Sequence, residues 1–130
     1  MAEKILGLKR SSAGVVALSG ELGAGKTTFI QGFLRALGVK RRITSPTFLI
    51  FKSYTLNAKP YTLVYHIDCY RLKNEKEILE LGFKEIISSP ENIVAVEWPE
   101  RIKKVLPKNT IFINFKFIGK NKREIIIENF

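Results

Sequence analysis

Acidic residues are scarce in this chain: 12 Asp and Glu stand against 22 Lys and Arg, for a formal net charge of +10. Cysteine is scarcer still. A single Cys69 excludes an internal disulfide and favours a reducing compartment such as the cytoplasm. No apolar run approaches the roughly 18 residues a membrane span requires, so no membrane association is expected. The opening MAEKILGLKR carries charge throughout and lacks the apolar core of a secretory signal. Internal repeats, low-complexity tracts and linkers are missing as well. What remains is 130 residues, 45% hydrophobic and 26% charged, a composition that fits one soluble globular domain over 1–130.

The positive charge is uneven. Residues 1–60 hold ten Lys and Arg against Glu3 and Glu21, whereas residues 61–130 hold twelve against ten acids. A basic half suits an anionic partner, RNA or a phosphate group, although Lys- and Ile-rich chains are often basic without binding nucleic acid.

Short apolar runs alternate with helical stretches, the pattern of an α/β fold. Gly14 to Ser19 is continuously apolar up to its serine, as a central strand buried on both faces requires. From Lys26 to Leu37 the residues Phe29, Ile30, Phe33, Leu34 and Leu37 recur at helical spacing, and Gly38 stops the helix. Phe48–Phe51 and Leu63–Ile67 read as strands joined through a Lys59-Pro60 turn, and Glu75–Leu81 as a helix ended by Gly82. Ile93–Val96 is a second continuous apolar strand, after which Pro99 can open a helix through Val105. Thr110–Ile118 and Arg123–Glu128 flank Gly119-Lys120-Asn121-Lys122 as a hairpin. The expected fold is a three-layer α/β sandwich of the P-loop NTPase type, its mixed sheet mostly parallel with an antiparallel C-terminal hairpin.

Gly20-Glu21-Leu22-Gly23-Ala24-Gly25-Lys26-Thr27 matches G-x-x-x-x-G-K-[ST] at every fixed position, between an apolar strand and an amphipathic helix. Such a loop lets backbone N–H groups wrap around phosphate oxygens, while the helix N-terminus adds positive potential. The lysine supplies a charge for the β- and γ-phosphates, and the Thr27 hydroxyl is a magnesium ligand. Thr28, one residue deeper, can reach the α-phosphate. Nucleotide contacts are therefore expected at Glu21, Leu22, Gly23, Ala24, Gly25, Lys26, Thr27 and Thr28.

Magnesium also wants a carboxylate, and hydrolysis needs a group that orients or deprotonates water. Two apolar strands end in acids, Asp68 and Glu97, and ligands of open α/β sheets bind beyond the carboxyl ends of parallel strands. Each acid has a plainer reading: an ion pair with Arg71 for Asp68, a helix-capping carboxylate for Glu97. Arg41 to Phe48 stands where a segment sensing the γ-phosphate would stand, with Thr47 its best hydroxyl; Ser45-Pro46 would make a turn there in any case. The lone His66 is open to two readings, a core residue or a group organising the Asp68 side. Tyr70 and Trp98 read first as packing, with stacking at the rim of the site the alternative for Trp98.

Four ordered blocks, GELGAGKTTF (20–29), SPTF (45–48), HIDCYRL (66–72) and VEWPE (96–100), resemble the bacterial TsaE family, small P-loop ATPases of tRNA threonylcarbamoyladenosine biosynthesis. The resemblance runs from Gly14 onward. It implies an ATP- and magnesium-dependent ATPase that works with two partner proteins and meets tRNA only indirectly. One of those partners transfers the threonylcarbamoyl group, and hydrolysis resets the complex between turnovers. It further implies that Glu97 is the magnesium-side acid, a role the apolar lead-in IVAV favours independently, and that Asp68 serves hydrolysis by positioning water or the switch segment. Arg123 is set by the same resemblance at the border of the adenine site. Candidate catalytic residues are thus Lys26, Thr47, Asp68 and Glu97, with Thr27 and Glu97 as metal ligands. Family members usually begin with a further strand and a threonine-containing turn; only Ala2–Leu8 precedes the first strand here, so that element is expected to be absent.

Two other classes stay open. A small-molecule kinase uses the same loop but needs an acceptor pocket and an arginine-bearing lid, for which Arg41-Arg42 is the only tempting cluster. A nucleotide-independent RNA-binding module suits the basic first half, but aromatic-rich RNA motifs are missing.

Overall fold

Val15, Val16, Ala17 and Leu18 are completely buried, and the strand they belong to, β1 (Gly14–Gly20), runs through the middle of the sheet. A strand covered on both faces can carry no polar alternation, which is why this run is continuously apolar. A computed structural model of the chain describes residues 11–21, 25–40, 43, 51–58, 60–120 and 122–129. The expectation that the family's first strand is absent concerns residues 1–10, which lie outside that set, as do the loop positions Leu22, Gly23 and Ala24 and Thr47, the hydroxyl expected to sense the γ-phosphate.

After β1 come α1 (Lys26–Ala36), β2 (Phe51–Ala58), β3 (Tyr61–Asp68), α2 (Glu75–Glu80), α3 (Phe83–Ser88), β4 (Asn92–Glu97), a 3-10 helix (Pro99–Val105), β5 (Ile111–Gly119) and β6 (Lys122–Glu128). The strands form one sheet in the order β2-β3-β4-β1-β5-β6. Its centre is parallel, with β1 paired to β4 and β5 and β3 to β4. The C-terminal hairpin β5–β6 is antiparallel, as the sequence predicts, and β2–β3 adds a second antiparallel pair at the opposite edge.

Helices cover both faces, giving the three layers. Val16, Leu18, Val64, Ile93, Ala95 and Ile113 pack against Ile30, Phe33 and Leu34 of α1 and its C-cap residue Leu37. On the other face Val15, Ile67, Val94 and Val96 meet Leu72, Ile78 and Phe83 from the α2–α3 region and Ile102 of the 3-10 helix. Each such fully buried aliphatic side chain contributes about 1.5–3 kcal/mol relative to exposure.

α1 ends where glycine predicts. Gly38, at φ +98°, donates to Arg35 O and Val39 donates to Leu34 O, both at 3.0 Å, the paired bonds of a Schellman cap. Three local readings differ from the sequence. Of the strand placed at Phe48–Phe51 only Phe51 lies among the described residues, and the strand continues from there to Ala58, where buried Tyr54 and Leu56 alternate with exposed Ser53 and Thr55 as an edge strand does. A further helix, α3, follows the Gly82 turn. The helix opened by Pro99 is 3-10 and kinks at Ile102, where φ is −130°.

Candidate functional site

The parallel register fixes the site. Asp68 lies opposite Glu97 across β3 and β4, and Leu18 lies opposite Glu97 across β1 and β4. Both carboxylates therefore end their strands beside the point where β1 leaves the sheet for α1. That is the edge at which open α/β sheets receive ligands.

Gly20 makes the turn possible. Its φ is +139°, and a Cβ there would stand 2.5 Å from Phe115 O of β5. Gly25 also has positive φ (+103°) and caps α1; a Cβ on it would lie 3.6 Å from Arg123 Cδ. Arg123 of β6 thus lies against the loop end that precedes Lys26, and its guanidinium carbon is 5.5 Å from the Phe117 ring centroid. Glu21, Thr27 and Thr28 are exposed.

Lys26 is buried, with only 5% of its surface exposed. Its Nζ donates to Gly20 O at 2.7 Å and stands 3.8 Å from the centroid of Trp98. Burial pulls its pKa below the ordinary lysine value, against the opposing pull of Glu97, Glu100 and Asp68. The half-buried Asp68 shows the converse. Burial raises its pKa, helped by the Glu97 charge and opposed by the Tyr70 N–H, which donates to Oδ1 at 3.0 Å, and by His66 and Lys26.

Glu97 is held from the side by His66, Nε2 to Oε2 at 2.7 Å, with both residues almost fully buried. Among the described residues, His66 Nδ1 has no hydrogen-bond partner. His66 is therefore a buried residue that organises an acid, but its acid is Glu97 rather than Asp68. Alternation makes this so: His66 and Asp68 share a face of β3, and the register sets Glu97 beside both. The Arg71 ion pair weighed for Asp68 does not appear among the described contacts.

Trp98 and Tyr70, read from the sequence as packing residues, do pack on each other, and Trp98 also meets the Lys26 ammonium. Trp98 adopts φ 58°, ψ 53°, a left-handed conformation rare for a bulky residue, and Tyr70 packs on it with ring centroids 5.0 Å apart. Nothing in VEWPE announces that backbone turn. Cys69, between Asp68 and Tyr70, is fully buried with its thiol pKa pushed up to about 12 by that burial, so it is unreactive. A separate cavity of about 290 Å³ opens on the opposite face, beside Ser19, Asn114 and Glu100; Asn114 alternates with the α1-facing Ile113 and Phe115.

The oxygen donors available here, the Thr27 hydroxyl and the carboxylates of Asp68 and Glu97, suit a hard cation. Among the described residues, no group of three or more His, Cys, Asp or Glu forms a self-sufficient metal site.

A central strand that turns at glycine into a lysine-led helix, flanked by strand-end acids on a mostly parallel sheet, defines a P-loop α/β protein. The crystal structure of YdiB from Bacillus subtilis is similar, with TM-score 0.71 and 33% identity over 95% of this chain and 73% of that one. The family profile described as "Threonylcarbamoyl adenosine biosynthesis protein TsaE" matches residues 1–125, and the chain belongs to that family. Relatives named tRNA threonylcarbamoyladenosine biosynthesis protein TsaE include that of Bacillus subtilis, 41% identical over 111 residues. The match covers 85% of this chain and 66% of that relative, just under two thirds of its length. The relative from Treponema pallidum is 32% identical over 95% of this chain and 87% of its own.

Proposed function

We propose that this protein is the magnesium-dependent ATP-binding and hydrolysing component of the machinery that makes threonylcarbamoyladenosine in tRNA. The observation that carries the reading is the convergence of Gly20, Lys26, Asp68 and Glu97 at one sheet edge, set by the register of three parallel strands. Family membership supplies the pathway.

In this reading the backbone of Glu21 to Gly25 cradles the phosphates, Lys26 binds the β- and γ-phosphates, and Thr28 reaches the α-phosphate. Thr27 and Glu97 would hold the magnesium ion, which when bound would supply positive charge to the phosphate oxygens. His66 keeps the Glu97 carboxylate from rotating away. Asp68 orients the attacking water, and its raised pKa suits a group that accepts a proton from it. Thr47 contacts the terminal phosphate, and Arg123 borders the adenine. The protein does not transfer the threonylcarbamoyl group. Hydrolysis resets a complex with two partner proteins, tRNA is met only through that complex, and the setting is the cytoplasm.

Phosphate release from ATP by this chain, with and without magnesium and with and without the two partners, tests the reading. Slow magnesium-dependent release into water that accelerates with the partners is expected. Phosphate appearing on a small-molecule acceptor instead would convert the protein into a kinase.

A further inference from the structure

Lys26 is buried, and among the described residues its ammonium has two direct partners, with Glu97, Glu100 and Asp68 acting on it as nearby charges. One is the Gly20 carbonyl oxygen at 2.7 Å and the other is the face of Trp98 at 3.8 Å. An ammonium removed from water needs both, since one carbonyl oxygen satisfies only one of its three donors.

The indole reaches that position through unusual backbone. Continuing the alternation of β4, residue 98 would follow Val94 and Val96 onto the face away from α1. The left-handed turn at φ 58°, ψ 53° redirects it, so that the ring meets Lys26 while its rim still touches the second core. Such a conformation survives in a large residue only where its surroundings over-determine it. Here the Trp98 N–H donates to Leu18 O at 3.3 Å, tying the turn to β1, and the Tyr70 ring backs the indole at 5.0 Å. The contact thus links three strand ends: β1 through Gly20 and Leu18, β3 through Tyr70 and β4 through Trp98.

We infer that Trp98 is a positioning residue for the phosphate-binding lysine: its indole face stores the Lys26 ammonium against Gly20, and entering phosphates draw the ammonium off the ring. This rests on the nucleotide-binding reading above and adds a step to it. Binding then includes a local exchange in which phosphate oxygens compete with a cation–π contact, so the indole sets how readily the lysine is released.

Trp98 is the sole tryptophan beside four tyrosines, so emission excited selectively in the indole band reports on this one ring. An ammonium touching an excited indole quenches it by proton transfer to the ring. Without nucleotide, Lys26→Met should therefore emit more brightly than the wild-type chain. Magnesium ATP should brighten the wild type in step with binding measured independently by calorimetry. Trp98→Leu, lacking the stored contact, should bind magnesium ATP roughly 2- to 30-fold more tightly, the equilibrium equivalent of a cation–π contact, with Trp98→Phe in between. A purely structural indole would give weaker binding on removal, so the sign separates the two roles. Equal emission from Lys26→Met and wild type overturns the inference, as does calorimetric binding with unchanged emission. If calorimetry finds no ATP binding, the nucleotide reading falls, while the nucleotide-free comparison still decides whether the lysine rests on the ring. Trp98→Phe keeps the test available should Trp98→Leu fail to fold.

Discussion

At the scale of single residues, the site holds charge where burial opposes it. Asp68 has a folded-state pKa above its ordinary 3.8, so its ionised form is disfavoured by folding. The stability tied to the protonated form is complete below 3.8 and is lost as pH rises through the raised folded value. At neutral pH the ionised carboxylate is thus a cost, one that solvent limits because the group is only half-buried. Asp68→Asn keeps an oxygen for the Tyr70 N–H and removes the charge. Thermal unfolding should find it more stable than wild type at pH 7 by roughly 1–4 °C, with the gap closing in acid. Its hydrolysis should be lost. His66 works in the opposite sense, since it is the buried partner of a buried carboxylate. His66→Leu should lower unfolding free energy by about 1–3 kcal/mol in denaturant titrations, the cost of leaving Glu97 without its hydrogen bond. A substitution at the exposed Lys84 gives the comparison that should move neither quantity.

At the scale of elements, two glycines separate steric need from backbone need. Gly20 requires both, since φ is +139° and a Cβ would meet Phe115 O at 2.5 Å, so Gly20→Ala should cost at least about 2 kcal/mol. Gly38, at φ +98°, has open space around it, so Gly38→Ala should cost only about 1 kcal/mol for the left-handed cap. Denaturant midpoints of the two variants check the ordering. These positions also mark what the sequence made legible. β1, α1 and β4 were readable because a doubly covered strand is continuously apolar and an amphipathic helix repeats at 3.6 residues. The acids at 68 and 97 were readable because each closes such a run. The extension of β2 to Ala58 was not readable because an edge strand alternates and its polar half hides it. The second antiparallel pair, the His66–Glu97 bond and the turn at Trp98 depend on register and on one backbone conformation. Those are settled by long-range pairing, and no local spacing carries them.

At the scale of the whole molecule, the sheet converts three separate sequence blocks into one edge. GELGAGKTTF, HIDCYRL and VEWPE are far apart along the chain, yet parallel pairing of β3, β4 and β1 sets their ends side by side. A protein that resets a complex should turn over slowly alone, so partner addition should raise its phosphate release, as read in steady-state assays. The central claim is that this edge is a single hydrolytic site with separate roles for its acids. Single-turnover hydrolysis of magnesium ATP, with binding measured on the same samples, tests that claim most directly. Glu97→Gln and Asp68→Asn should each slow hydrolysis by about 100-fold or more while still binding nucleotide, with only Glu97→Gln weakening the response to magnesium. Magnesium-dependent turnover at the wild-type rate in both variants would contradict it.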